Sequence, residues 1–113
     1  MTKVTVQRQG PVRTITLNRA EKRNALDAEM LALLLAAFQE PPEPADRVAV
    51  IRAEGTVFCA GLDLSERRKQ LGDASPIEGM LHAIETYALP VVAVVQGDAI
   101  AGGNELALHC DLV

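Results

Sequence analysis

An α/β fold with crossover connections is the architecture this sequence predicts, on three observations. Two alternating apolar–polar segments, 4–9 and 12–18, flank Gly10-Pro11 near the start of the chain. Short apolar runs at 48–53 and 91–96 are bounded by turn residues. Stretches with apolar residues at helical spacing separate these runs. Period-2 alternation marks half-buried strands, and strands that alternate with helices need crossovers to return the chain to one sheet.

Each element has a local reason. Gly10-Pro11 between two alternating segments is a hairpin signal. Residues 18–26 are polar and charged, hence a loop. Asp27 is a good N-cap, and Met30, Leu31, Leu34, Leu35 and Phe38 then recur on one helical face. That helix stops before Pro41-Pro42, where a donor is lost and the preceding residue is restricted. Residues 43–47 connect it to the strand at 48–53. A charged helix is expected over 63–70, broken by Gly72-Asp73-Ala74-Ser75-Pro76. Ile77, Met80, Leu81, Ile84 and Tyr87 mark an amphipathic helix, with Ser75 as its cap and Pro76 in its first turn. Leu89-Pro90 ends it. A buried strand follows at 91–96, and a last helix opens at Gly102 or Gly103.

Composition narrows the class. The chain has 113 residues, enough for one domain or part of one. Hydrophobic residues make up 49% and aromatics only 3%, so an ordered core is expected, built from Val, Leu, Ile and Ala. The net charge of −4 and the lack of a basic stripe with interleaved aromatics argue against nucleic acid as a partner. The longest apolar runs are too short to cross a bilayer. Two cysteines, Cys59 and Cys110, make no disulfide framework and have no metal-type spacing. Buried, reduced thiols are expected, in a cytoplasmic setting. His82 and His109 belong to no triad or metal set and read as structural or surface residues.

The chemistry concentrates in two loops. Gly97-Asp98-Ala99-Ile100-Ala101-Gly102-Gly103-Asn104-Glu105-Leu106 follows one apolar run and opens a helix. A helix N-terminus leaves backbone donors unpaired and carries partial positive charge, and glycine lets a ligand approach the backbone closely. Glu105 places a carboxylate beside those donors. Upstream, the run at 48–53 leads into Glu54-Gly55-Thr56-Val57-Phe58-Cys59-Ala60-Gly61-Leu62-Asp63-Leu64, again with small residues before a helix. Two amides aimed at one oxygen would form an oxyanion hole. Taken singly, a glycine here serves packing and a glutamate serves the helix dipole; the combination favours a site.

Three motifs carry a resemblance: Asn18-Arg19-Ala20-Glu21-Lys22-Arg23-Asn24-Ala25-Leu26, Phe58-Cys59-Ala60-Gly61-Leu62-Asp63-Leu64, and residues 97–111. In their order and spacing they resemble the crotonase superfamily, the enoyl-CoA hydratase/isomerase fold. The likeness covers essentially the whole chain. It implies a ββα spiral core, incomplete in this chain, with residues 1–113 as the N-terminal part of a single domain. Family members are well over twice this length, so the chain reads as a fragment.

By that resemblance, the backbone N–H groups of Leu62 and Gly102 form the oxyanion hole and Glu105 is the catalytic carboxylate. Ala25, Leu26, Ala60, Leu62, Asp63, Leu64 and Ser65 match the surface that takes coenzyme A and substrate. For the Asp63 side chain, helix capping is favoured over catalysis. The family usually has three consecutive glycines where this chain has Ala101-Gly102-Gly103; the donor position is kept. The basic clusters Arg19, Lys22, Arg23 and Arg67, Arg68, Lys69 offer cations for phosphates, although solvated surface is the blander reading of each. The implied activity is hydration of a 2-enoyl-CoA through a thioester enolate. The alternatives are an enoyl-CoA isomerase or a non-catalytic acyl-CoA binder. Hydratases of this kind use two glutamates, and the second would lie beyond Val113. No metal and no cofactor other than substrate-borne coenzyme A is implied. Expected partners are the acyl-CoA thioester, the C-terminal remainder of the fold and further copies in a trimer or hexamer, with no membrane.

Residues 1–113 by themselves are expected to melt broadly and to show no crotonyl-CoA hydration. Sharp two-state unfolding of the purified monomeric segment contradicts this expectation.

Overall fold

The computed structural model describes residues 2–63, 76–96, 106, 110 and 111. The chain enters through a hairpin, β1 (Val4–Gln9) and β2 (Val12–Leu17), paired antiparallel from Val4↔Leu17 to Gln9↔Val12. Helix α1 (Ala28–Gln39) carries it to β3 (Val48–Ala53), which lies parallel to β2 with Val12 opposite Val48 and Leu17 opposite Ala53. Helix α2 (Pro76–Glu85) precedes β4 (Val91–Ala93), parallel to β3 with Val91 opposite Ala49. The sheet order is β1-β2-β3-β4. This is the mixed α/β arrangement expected, with two parallel crossovers after one hairpin.

Alternation along the strands decides which face is dry. Arg13, Ile15 and Leu17 of β2 stand beside Ala49, Ile51 and Ala53 of β3 and Val91 and Ala93 of β4, all buried. Met30, Leu31, Leu34, Ala37 and Phe38 form the buried stripe of α1, and Met80, Leu81, Ala83 and Ile84 that of α2. The two helices pack on one another. Each fully buried aliphatic or aromatic side chain contributes about 1.5–3 kcal/mol relative to exposure. Leu35 and Tyr87 are only partly buried, at the margin of this core.

Three local expectations change. Residues 18–26 are not a featureless loop: Ala20–Lys22 form a short 3₁₀ turn, and Leu26 pairs with Leu62 in an isolated parallel bridge. The ladder of β2 ends at Leu17. The strand expected over 91–96 has ladder pairing only over Val91–Ala93. Val94 N–H still donates to Ile51 O at 2.9 Å. The next acceptor, Ala53 O, is then met by the Gln96 side chain at 3.2 Å instead of a backbone amide. The apolar run continues through Val95, but its pairing partner does not.

Arg13 is the charge the alternation did not announce. It is fully buried on the core face. Its Nη1 donates to the Tyr87 hydroxyl at 3.0 Å, and its guanidinium lies 5.8 Å from the centre of the Tyr87 ring. Phe38 meets the same ring edge-on, with centroids 5.4 Å apart. Nη2 stands 3.5 Å from Glu40, an ion pair without hydrogen-bond geometry; Nε and Nη2 have no hydrogen-bond partner among the described residues.

The expected cap of α1 is present, with Asp27 Oδ1 accepting from Met30 N–H at 2.9 Å. Its other oxygen takes Lys3 Nζ at 2.6 Å, tying β1 to the helix start. Burial opposes the Asp27 charge, but Lys3, the Met30 amide and Arg19 outweigh it and hold the carboxyl below its ordinary value of 3.8. Hydrogen bonds to Asp27 and Glu29 raise Lys3 above 10.5. A depressed acid stabilises the fold above its unfolded pKa and loses that contribution as pH falls through the folded one; a raised base does the reverse. In the full-length protein, D27A should cost about 1 kcal/mol in urea denaturation. D27N retains a cap, so its smaller deficit isolates the charge. That deficit should hold between the two ordinary values and fade on either side. A D27N deficit independent of pH would contradict the assignment.

Candidate active site

The loop after β3 is fastened by the turn after β2. Asn24 is fully buried, and its carboxamide is used on both sides. Oδ1 accepts from Arg19 N–H at 2.8 Å, while Nδ2 donates to Glu54 O and Val57 O, both at 2.9 Å. Arg23 and Asn24 are consecutive residues with left-handed backbones, at φ 53° and 55°. Asn tolerates this region better than most residues. Gly55 comes so near Ala20 that a Cβ there would lie 3.0 Å from the Ala20 methyl, and its φ of +85° also calls for glycine.

Further along, Ala60 N–H donates to Arg23 O at 3.0 Å. Gly61 turns the chain with φ 94°. The bridge follows: Leu26 N–H donates to Gly61 O at 2.8 Å, and Asp63 N–H to Leu26 O at 2.9 Å. Both bonds on this side therefore use Leu26, Gly61 and Asp63. In extended chain, successive amides face opposite ways. The Leu62 N–H thus points away from Leu26, and no backbone carbonyl accepts it among the described residues. Its side chain packs against the core.

The other predicted residues fall in two groups. Leu26 is fully buried and both its backbone groups are spent in the bridge, so its part is to hold the loop. Ala25 and Ala60 are half-buried beside it, and the Ala25 carbonyl accepts from Arg19 Nη1 at 2.8 Å. The Asp63 carboxylate accepts from the same nitrogen at 3.1 Å. Leu64, Ser65, Gly102 and Glu105 lie outside the described residues, as do the helix expected at 63–70 beyond Asp63, the Ser75 cap, Asp98, His109 and the cations Arg67, Arg68 and Lys69. Of the other basic cluster, Arg19 is occupied within the chain, whereas Lys22 and Arg23 are exposed. His82 is exposed on α2. Gln96, just before the glycine-rich loop, donates to Ala53 O and, at 2.6 Å, to Gly55 O.

Both thiols are free. Cys59 Sγ donates to Asn24 O at 3.2 Å, and burial pushes its pKa up to about 11, against a smaller opposing effect of the Gly61 amide. Burial, reinforced by Asp111, pushes Cys110 up to about 12. Neither is a thiolate at neutral pH, so neither is a nucleophile here. A hollow of about 360 Å³ is bounded by both loops, from Ala20 and Arg23 to Thr56 and Val57. A larger one, about 560 Å³, is lined by Gln7, Arg8, Gln9, Thr14 and Arg52 and includes none of the predicted site residues.

Open α/β sheets bind ligands outside the carboxyl ends of their parallel strands, the end of this sheet at which the turn after β2 and the loop after β3 meet. The chain belongs to the enoyl-CoA hydratase/isomerase family, which it matches over residues 7–113. A Thermus thermophilus relative named as an enoyl-CoA hydratase is 40% identical over 114 residues, 93% of this chain and 45% of the relative. A Magnetospirillum magneticum structure described as an enoyl-CoA hydratase/carnithine racemase superposes on the whole chain and 46% of its own, with TM-score 0.90 and 35% identity. A Thermobifida fusca structure in complex with acetoacetyl-CoA matches at TM-score 0.79 and 29% identity, over 98% of this chain and 51% of that one. The chain spans less than half the length of the curated relatives it matches.

Asn24 was legible as a motif residue but not as the loop fastener. In the full-length protein, N24A should lose roughly 1–3 kcal/mol, because three backbone groups of two loops lose their partner. N24D should also destabilise, since it sets an acceptor against two carbonyls. Unchanged urea midpoints for both would refute this role.

Proposed function

We propose that this chain is the N-terminal part of an acyl-CoA enzyme that adds water to a 2-enoyl-CoA. The observation that carries the reading is the Leu62 amide, which no described backbone carbonyl accepts, beside a bridge that uses its neighbours on the other side. Family membership and the acetoacetyl-CoA bound by the T. fusca relative support the substrate class.

In this reading the thioester oxygen sits between the N–H groups of Leu62 and Gly102. Water oxygen bonds to the β-carbon, the carbon–carbon π pair moves toward the carbonyl, and the oxyanion of the enolate is stabilised by the two donors. The enolate then takes a proton at the α-carbon, and the net change is addition of H and OH across the double bond. Glu105 orients the water and exchanges a proton with it. Ala25, Ala60, Leu62, Asp63, Leu64 and Ser65 lie along the acyl-CoA, with Leu26 holding the strand behind them. Coenzyme A enters as part of the substrate, and no separate cofactor takes part. A trimer or hexamer in the cytoplasm belongs to the same proposal. Double-bond migration uses the same enolate with a single carboxylate base, and the family name covers both reactions.

The test is Glu105→Gln in the full-length protein. It keeps the shape and removes the base, so kcat for crotonyl-CoA hydration should fall about 10²–10⁴-fold while acyl-CoA affinity by calorimetry stays nearly constant. Gly102→Pro removes a donor and strains the loop, so binding and turnover should fall together. Wild-type turnover in Glu105→Gln would end the catalytic role. Isomerisation of a 3-enoyl-CoA without hydration would select the alternative.

A further inference from the structure

The geometry points to Arg19 and Asp63 as a positioning pair that sets the Leu62 amide, an inference that rests on the oxyanion reading above. Arg19 Nη1 lies 2.8 Å from Ala25 O, 3.1 Å from Asp63 Oδ2 and 3.5 Å from Asp27 Oδ2. Ala25 immediately precedes Leu26, and Asp63 immediately follows Leu62. One guanidinium therefore grips both strands of the Leu26–Leu62 bridge, at the residue before one partner and the residue after the other.

That bridge needs help. Among the described residues it is isolated, with two backbone bonds and no ladder beside it. An amide held by so short a pairing would swing with the loop. Arg19 is well placed to prevent this because it is itself fixed. Its N–H is bonded to Asn24 Oδ1, its carbonyl accepts from Lys22 and Asn24, and its side chain is only 13% exposed. A charge-assisted bond in such a site is stronger and less screened than a surface pair.

The pair also has an electrostatic task. Asp63 puts a carboxylate one residue from the proposed oxyanion donor. Unneutralised, that charge would oppose the negative charge growing on the thioester oxygen. Arg19 offsets it without touching substrate. The cap of α1 is independently secured, since Asp27 keeps Lys3 and the Met30 amide when Arg19 is removed. Loss of Arg19 should thus disturb the Leu62 strand more than the fold.

The experiment uses the full-length protein and its R19M, R19K, D63A and R19M/D63A variants. Three quantities are read: kcat and KM for crotonyl-CoA hydration, the carbonyl stretch of a bound unreactive acyl-CoA by difference infrared spectroscopy, and the urea midpoint. R19M should lower kcat about tenfold to hundredfold, as misplacement of about 1 Å does, with KM little changed. The bound carbonyl stretch should move back toward its frequency in water. R19K keeps the charge and one donor nitrogen but not the reach and planar shape of the guanidinium, and should recover part of both losses. The double variant should lose no more than the worse single one, because the two residues act as a unit. A lower urea midpoint with kcat and carbonyl stretch unchanged would make the pair merely structural and overturn the inference; so would additive losses. If the wild type itself leaves the bound carbonyl unpolarised, the oxyanion reading fails first. If the wild type polarises it and R19M does so equally, only the present inference falls.

Discussion

Three backbone groups from two loops converge on one carboxamide, that of Asn24, and the geometry around Leu62 depends on it. The turn after β2 and the loop after β3 leave adjacent parallel strands at the same end of the sheet. The last rung between β2 and β3 is Glu54 N–H to Leu17 O, and Asn24 takes over past it. Buried amide and carbonyl groups without partners are costly, so a fully used side chain in that gap is a strong constraint. The Ala60–Arg23 bond, the turn at Gly61 and the Leu26–Leu62 bridge extend the same seam toward the site.

The sheet supplies the other half of the arrangement. Strands β2, β3 and β4 are parallel, so the loops that follow β3 and β4 leave from one edge. Gln96 spans the place where β3 and β4 part, taking two carbonyls of the β3 side. A crevice outside the carboxyl ends of parallel strands is where open α/β sheets bind ligands. At this end of the sheet no described backbone carbonyl accepts the Leu62 amide.

What could be read from sequence was what short range decides. The bounds of β1 and β3, the Gly10-Pro11 hairpin and the Asp27 cap follow from alternation, a turn pair and a side chain that bonds its own helix. The motif containing Leu62 was visible, and so was the family, because three motifs stood in its order. The missed features are long-range. Arg19 looked like a free cation, yet its carboxylate partner is 44 residues away. Arg13 sits at a position that alternation assigns to the core, where its aromatic partner comes from 74 residues downstream. The strand at 91–96 was overextended because hydrophobicity does not say where a neighbour's carbonyls have already been taken. Glu105 and Gly102 rest on the motif alone, as their surroundings lie outside the described residues.

The thiol of Cys59 lies inside the seam that Asn24 closes, bonded to the Asn24 carbonyl and protonated at neutral pH. A sulfhydryl reagent reaches it only when that turn separates from the loop, and reacts only with its ionised form. Local opening of this kind is governed by its own free energy, separate from that of global unfolding. Cys59 is consequently a native clock. The rate at which it is alkylated counts how often the two loops come apart, and a ligand held by the Leu62 strand would slow that count without touching sulfur.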